Sequence, residues 1–376
     1  MAENWADLPQ ELLQLCSTQL LLKDRLAFRS VCSTWRAAAF EERFDLPWWM
    51  LEDDKCTETK WAEFYSPFSS QIHKVVLPEV KGKRCFSSRG WILTVGTDSE
   101  VHMLNPLSRA LRYRDDDIIK LPNVNKLSSW DDEISKPEVD KFILSASPAS
   151  SPNYTVMVIY WPSGPLAFWK PGNEEWKTLT PPAQYDDNKY NDDLEDSDLY
   201  VDKDVLDVIY YRGQFVAVNS SGSIFTCDVD GPDPTAQVIL EMPLEFRDLW
   251  KHSEDQYLAE SAGRLLLVSQ LSRPERYSSV ITGFRVFDVD LDTREWKELE
   301  SMGKVSFFVG FNSSFSVRVD DNKQGIKPNC VYFTGFGGIG TYYMEDKRIE
   351  FDQQADYNSY PPPWIESPPL WIEPSF

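Results

Sequence analysis

From Pro47 to Phe351 one β-rich unit recurs, and no other feature constrains the fold of this chain as much. Each copy is a strand-like run, a polar turn and a second run, often closing on Leu-Pro or Met-Pro. The copies read PWWML with FYSPFSSQIHKVVLP (47–51, 64–78), then GWILTVG with VHMLNPLSRALRY and IIKLP (90–96, 101–113, 118–122). YTVMVIYW with LAFWKPGNEEWKTLTP (154–161, 166–181) and QFVAVN with SIFTCDVDGPDPTAQVILEMP (214–219, 223–243) follow. The last are RLLLVSQL with FRVFDVDLDTREWKELESM (264–271, 284–302) and NCVYFTGF with TYYMEDKRIEF (329–336, 341–351). Six divergent copies of roughly 40–60 residues predict a β-propeller, with each copy one four-stranded blade. A single such sheet cannot bury both faces, whereas radial stacking covers them and leaves only short edges.

Ahead of the repeats, residues 7–44 have helical periodicity. Asp7 with Gln10 forms a capping-box pattern, Pro9 stands in the first turn, and Leu8, Leu12, Leu15/Cys16 and Leu20 recur at helical spacing. Asp24 is placed to cap a second short helix and Ser33 a third. The apolar supply exceeds what such a piece can enclose, because about 40 residues are marginal as a core of their own. Part of this surface is therefore expected to be covered by another chain or domain.

The run LPQELLQLCSTQLLLKDRLAFRSVCSTWRAAAF (8–40) resembles the F-box without a gap. Leu8, Pro9, Glu11, Leu12, Leu13, Leu20, Asp24, Val31, Cys32, Trp35 and Arg36 match its pattern. That resemblance implies that Leu8, Pro9, Leu12, Leu13, Leu20, Val31, Cys32 and Trp35 bind a Skp-type adaptor and, through it, a cullin. Cys16 stands where Ile or Val is common, and Arg25 where Leu is common. The repeats resemble the KIB-type, kelch-like propeller of plant F-box proteins, long catalogued as a domain of unknown function. The matching motifs are FYSPFSSQIHKVVLPE (64–79), SSRGWILTV (87–95), MLNPLSRALR (103–112), YLAESAGRLLLVS (257–269), VFDVDLDTREWKELESMG (286–303) and NCVYFTGF (329–336). The expected class is α+β multidomain: an α-helical F-box over 1–45, an all-β propeller of about six blades over 46–352, and a Pro/Trp-rich tail over 353–376 packed on the propeller.

Other motifs yield no chemistry. Gly335-Phe-Gly337-Gly338-Ile-Gly340 fits G-x-G-x-x-G, but a dinucleotide fold needs a helix next, and Thr341-Tyr342-Tyr343 reads as strand. Asp288, Asp290 and Asp292 begin like a calcium loop, but its sixth position is Thr293 and its twelfth Leu299, so a strand end and turn is expected. The Asp228-Val-Asp230-Gly231 run fails the same test. The three histidines assemble no catalytic set, and His73 and His102 read as outward-facing strand residues. No catalytic residue, cofactor or metal is expected. The six cysteines are scattered singly, which suits reduced thiols in the cytoplasm or nucleus. MAENWADLPQ has neither a basic nor an apolar leader region, so no signal peptide is expected, and the sequons at Asn153, Asn219 and Asn312 then have no consequence.

A net charge of −22 repels phosphate, so nucleic acid and anionic membrane are poor partners. Ten acids between Asp186 and Asp207, against Lys189 and Lys203, read as one solvated inter-blade loop, with a docking surface for a basic partner as the sharper alternative. The tail YPPPWIESPPLWIEPSF holds Trp364 and Trp371 in a stiff segment, expected to pack on the propeller and help close it, with a free proline-type ligand as the alternative. Loops at 123–140, 183–204, 244–256 and 272–280 are where an unknown target is expected to bind. The resemblance to the F-box and the KIB-type propeller implies two functions. One is a substrate-recognition subunit of a Skp–cullin–F-box ubiquitin ligase. The other is a regulator that binds and inhibits a partner such as a kinase without ubiquitinating it. A propeller lectin or glycosidase is disfavoured because it calls for secretion.

Overall fold

The structure, a computed structural model, describes residues 8–39, 46–51, 60–68, 70–112, 118–127, 138–161, 165–180, 204–246, 253–275, 278–310, 313–320, 325–335, 338–351 and 370–373. The chain divides into two compact units, Met1–Leu121 with Pro363–Phe376, and Pro122–Pro362.

The first unit opens with three helices, α1 (Gln10–Thr18), α2 (Leu22–Val31) and α3 (Ser33–Ala38). Their starts differ from the expected caps. Pro9 is the N-cap of α1, and its carbonyl accepts the Leu12 and Leu13 amides. Leu21 precedes α2, which places Asp24 in the first turn, where a carboxylate suits the helix dipole. Ser33 is already helical, with Cys32 as the extended cap. Asp7 lies outside the described residues.

Two antiparallel sheets follow in this unit. In the first, Leu370–Ile372, Trp48–Met50, Trp61–Ser66 and Gln71–Val76 lie side by side in that order. The tail strand is in register with the first strand: Trp48 faces Ile372, Trp49 faces Trp371 and Met50 faces Leu370. Trp364 lies outside the described residues. In the second sheet Arg84–Ser88, Trp91–Val95, Val101–Leu104 and Ile118–Leu121 run in chain order. Between its last two strands stands a helix, α4 (Pro106–Arg112), where the repeat pattern implied strand. The signal for it was present: Asn105 accepts the Ser108 amide at 2.9 Å as an N-cap, and Pro106 opens the helix.

The second unit holds four sheets. Glu138–Leu144, Val156–Trp161, Leu166–Trp169 and Lys177–Thr178 make the third, and Val205–Tyr211, Gln214–Asn219, Ile224–Asp228 and Thr235–Leu240 the fourth. The fifth is Ser253–Ser261, Arg264–Glu275, Ser278–Asp290 and Glu295–Leu299. The sixth has five strands in the order Ser313–Arg318, Val305–Gly310, Cys330–Gly335, Gly338–Tyr343 and Ile349–Phe351, with its second and third strands parallel. The hairpin Val305–Arg318 was not among the repeat runs; its Phe-Ser alternation carries no closing Leu-Pro.

Tight turns join the first two strands in three of the sheets. Arg89-Gly90, Arg212-Gly213 and Ala262-Gly263 each hold both central residues at positive φ, the conformation of a type I′ hairpin. Gly213 and Gly263 meet that demand without a Cβ penalty. The fourth sheet buries both faces: Phe215, Ala217 and Cys227 pack with Met157 and Phe168 of the third sheet, while Val216 and Val218 pack with Leu265 and Leu267 of the fifth. Gly340 stands opposite Phe333, whose ring covers the site a Cβ would need.

A buried polar hub joins the edge strands of all four sheets in this unit. Asp207 takes the Lys141 ammonium on Oδ1, while Ser314 and the Leu258 amide donate to Oδ2 at 2.8 and 2.7 Å. Lys141 also donates to Ser314 at 3.0 Å, and the Val208 amide reaches Oδ1 at 2.7 Å. Asp207 therefore does not belong to the acidic inter-blade run, because the strand begins at Val205. Residues 186–203 of that run lie outside the described residues.

Candidate adaptor-docking face

The helices enclose a small core of Leu13, Phe28, Ala38 and Ala39, with Leu8, Leu20 and Trp35 half-buried at its margin. Trp35 lies on Phe28 with ring centroids 4.3 Å apart. α2 is apolar on a second side as well: Leu22 is buried in the core of the first sheet, where Leu26 and Leu107 also pack. Arg25, the departure from the F-box pattern, is buried too. Its Nε donates to the Ser17 carbonyl at 3.1 Å and its Nη2 to the Leu20 carbonyl at 3.3 Å. The guanidinium thus ties α2 to the end of α1, adding a charged donor to the Ser17 carbonyl, which also accepts the Leu20 amide at 3.3 Å.

Outside these two cores three large apolar side chains stay exposed among polar ones. Leu12 is 49% exposed, Leu15 62% and Val31 60%. Pro9 and Cys16 are exposed as well, and Cys32 is half-buried. Of the residues the F-box pattern pointed to, Pro9, Leu12 and Val31 present open surface. Leu8, Leu20, Cys32 and Trp35 are partly enclosed, and Leu13, 1% exposed, is interior. Leu15 was not among those residues, although its apolar side chain one turn from Leu12 was a readable signal.

The other sequence motifs take structural roles. Gly335 and Gly338 pair across a hairpin that continues as strand, so the G-x-G-x-x-G run opens no helix. Asp290 accepts the Asp292 and Thr293 amides at 2.8 and 3.1 Å, and Asp228 accepts those of Asp230 and Gly231 at 2.9 and 3.1 Å. These backbone bonds hold both carboxyls below the usual range. His73 is not outward-facing: it is buried and stacked on Trp48 at 4.3 Å and 8°. His102 is half-buried.

Among the suggested target loops, residues 272–275 and 278–280 form a ribbon, with Ser272 paired to Ile281 and Glu275 to Ser278. Residues 128–137, 183–203 and 247–252 lie outside the described residues. A cleft of about 700 Å³ between the third and fourth sheets is lined by Asn153, Lys170, Tyr210, Gln214 and Asp230. There Lys170 is already held by the Val229 carbonyl at 2.9 Å and by Asp230 at 2.5 Å.

With the geometry in place, comparison with known proteins gives the class. An F-box domain model matches residues 5–46, and a KIB1-4 beta-propeller model matches residues 64–360. The chain belongs to the KIB1-4 β-propeller family and carries an F-box at its N-terminal side, so its six sheets are propeller blades following a short helical domain. Among curated relatives in Arabidopsis thaliana, it is 23% identical to "Putative F-box protein At3g25750", over 96% of this chain and 98% of that one. It is also 23% identical to "F-box/kelch-repeat protein At1g57790", over 97% and 95%. Among solved structures, BBS1N in its complex with ARL6DN aligns at TM-score 0.34 and 9% identity, over 80% of this chain and 75% of that one. The N-terminal domain of Nup159 aligns at 0.30 and 10%, over 77% and 72%. Both are too distant to bear on function.

Proposed function

We propose that this protein is the substrate receptor of a Skp–cullin–F-box ubiquitin ligase, acting in the cytoplasm or nucleus. The F-box docks on the adaptor and the propeller holds the target. The carrying observation is the exposed trio Leu12, Leu15 and Val31 on helices that already have a core of their own. An apolar surface of that kind beside a satisfied core is the signature of an interface. In this reading the chain contributes proximity, and the ubiquitin-transfer chemistry belongs to other subunits. The acidic balance of the chain favours a neutral or basic target protein.

The test is co-purification of the full chain with a Skp-type adaptor. The Leu12→Lys/Leu15→Lys/Val31→Lys variant puts charge only on exposed positions, so its melting temperature should match the wild type while binding is lost. Trp35 and Leu8 are unsuitable for this purpose, because both line the helical core. A folded wild type that does not bind the adaptor sinks the receptor reading.

A further inference from the structure

The docking helices are seated on a core that another part of the chain completes. Leu22 of α2 belongs to the same buried cluster as Trp48, Phe64, Val75, Leu370 and Ile372. Leu370 and Ile372 come from the tail strand, which forms one edge of the first sheet, while Gln71–Val76 forms the other edge. Leu26, also on α2, packs against this cluster together with Leu107 of α4. α4 is fixed in turn: Arg109 is buried and ion-paired to Glu79, in the turn that follows Gln71–Val76. The tail strand is secured on its far side, where the Ser87 hydroxyl donates to the Trp371 carbonyl.

α2 thus uses Phe28 for the helical core and Leu22 for the sheet core, and Val31 of the exposed face sits at its C-terminal end. Removing the tail strand strips one edge from a four-stranded sheet and takes two side chains out of the cluster that holds Leu22. Such a loss is only partly made good by local relaxation, and a close-packed interior transmits the remaining strain to the other members of the cluster.

We infer that strand Leu370–Ile372 is a positioning element for the adaptor-docking face: α2 is held in its docking position by a core that is complete only when this strand is paired with Trp48–Met50. The inference rests on the receptor reading for its functional meaning. It also has a temporal consequence. The F-box is synthesised before the sheets, but its seat is finished only after residue 372 has been made. A chain stalled or clipped before Leu370 carries a loose docking face and enters the ligase poorly.

The experiment uses the full chain with Ile372→Ala. A control, Val331→Ala, lies in a separate core of the second unit. Hydrogen exchange of the Leu22–Val31 amides is measured in the free protein, and affinity for a purified Skp-type adaptor by titration. Ile372→Ala should speed exchange in α2 and weaken adaptor binding by roughly fivefold, the lower end of coupling between linked sites. Val331→Ala should do neither. If the alanine variant does not fold, Ile372→Val reads the same relationship with a smaller deletion. Faster exchange at Trp48–Met50 with unchanged α2 protection and unchanged affinity overturns the inference. A wild type that binds no adaptor overturns the receptor reading instead, and the exchange arm still decides the coupling.

Discussion

Asp207 holds the Lys141 ammonium across a sheet boundary, with both residues buried. The carboxylate also binds Ser314 and the Leu258 amide, so one side chain connects the edge strands of four sheets. Aromatic and aliphatic packing between sheets is strong but tolerant of small slips. The hub is directional, and it sets where the four edges meet.

Removing one partner of this pair should therefore be costly. Asp207→Ala leaves a buried ammonium uncompensated, and a loss of about 3–5 kcal/mol is expected. Lys141→Met combined with Asp207→Leu should cost less than Asp207→Ala alone, since no charge is then stranded. Urea unfolding of the three variants, with the second-unit tryptophans as probes, gives the comparison. A double variant worse than the single one contradicts the assignment.

Arg25 supplies a second stability prediction. Leu is the common residue at this place in the F-box pattern, yet here the guanidinium satisfies the Ser17 and Leu20 carbonyls. Arg25→Leu removes two hydrogen bonds from a charged donor and should destabilise the helices by about 1.5–3 kcal/mol. Thermal unfolding followed by helix circular dichroism tests it. A rise in stability would show that the pattern residue is the better one here too.

His102 gives a pH dependence. Burial lowers its pKa, the Lys83 ammonium 3.4 Å from Nδ1 adds to this along with Lys120, and Glu100 and Asp98 oppose it. The folded state therefore favours the neutral ring. Above the unfolded value of about 6.5 both states are neutral, and this group adds no slope. As pH falls through that value the unfolded chain protonates first, and stability drops until the folded ring titrates as well. His102→Gln should flatten the decline below about pH 6.5 while leaving the profile at pH 7–8 unchanged. Denaturant midpoints at half-unit pH steps measure this.

Thiol chemistry separates the helices from the sheets. Burial pushes the Cys227 thiol up to about 12 and Cys330 to about 11, so neither supplies thiolate at pH 8. Cys16 is exposed and Cys32 partly so. Among the described cysteines, brief alkylation of the native protein should label Cys16 first and spare Cys85, Cys227 and Cys330. In a complex with the adaptor, labelling of Cys16 should fall. Peptide mapping reads both results.

Much of this molecule was legible as sequence because local signals carry it. The Leu-Pro start and the Val-Cys-x-x-Trp end of the F-box, the strand runs of six blades and the x-Gly hairpins all act over a few residues. α4 was legible too, through Asn105-Pro106, but the surrounding strand pattern masked it. The hairpin Val305–Arg318 carried no punctuation of the kind seen in the other copies. Its assignment to the sixth sheet depends on a parallel pairing with Cys330–Gly335, which local sequence does not encode. Leu13 and Leu12 are adjacent leucines on one helix, and only the packing of α3 against α1 makes one interior and the other exposed.

By itself, the sequence determined the class of this protein: which segments are helix or strand, that the strands repeat, and that the helices carry more apolar surface than they can bury. Those properties follow from side-chain period and composition, which the chain carries wherever it folds. Only the tertiary structure decided which distant segments meet. It set Trp371 opposite Trp49 and beside Ser87, 284 residues from it in sequence; it turned Asp207 from one acid in a charged run into a buried hub; and it brought Leu22 onto a core closed by Leu370 and Ile372. Contacts of this kind depend on loop closure and on the fit of faces formed far apart in the chain, and no window of local sequence contains both partners.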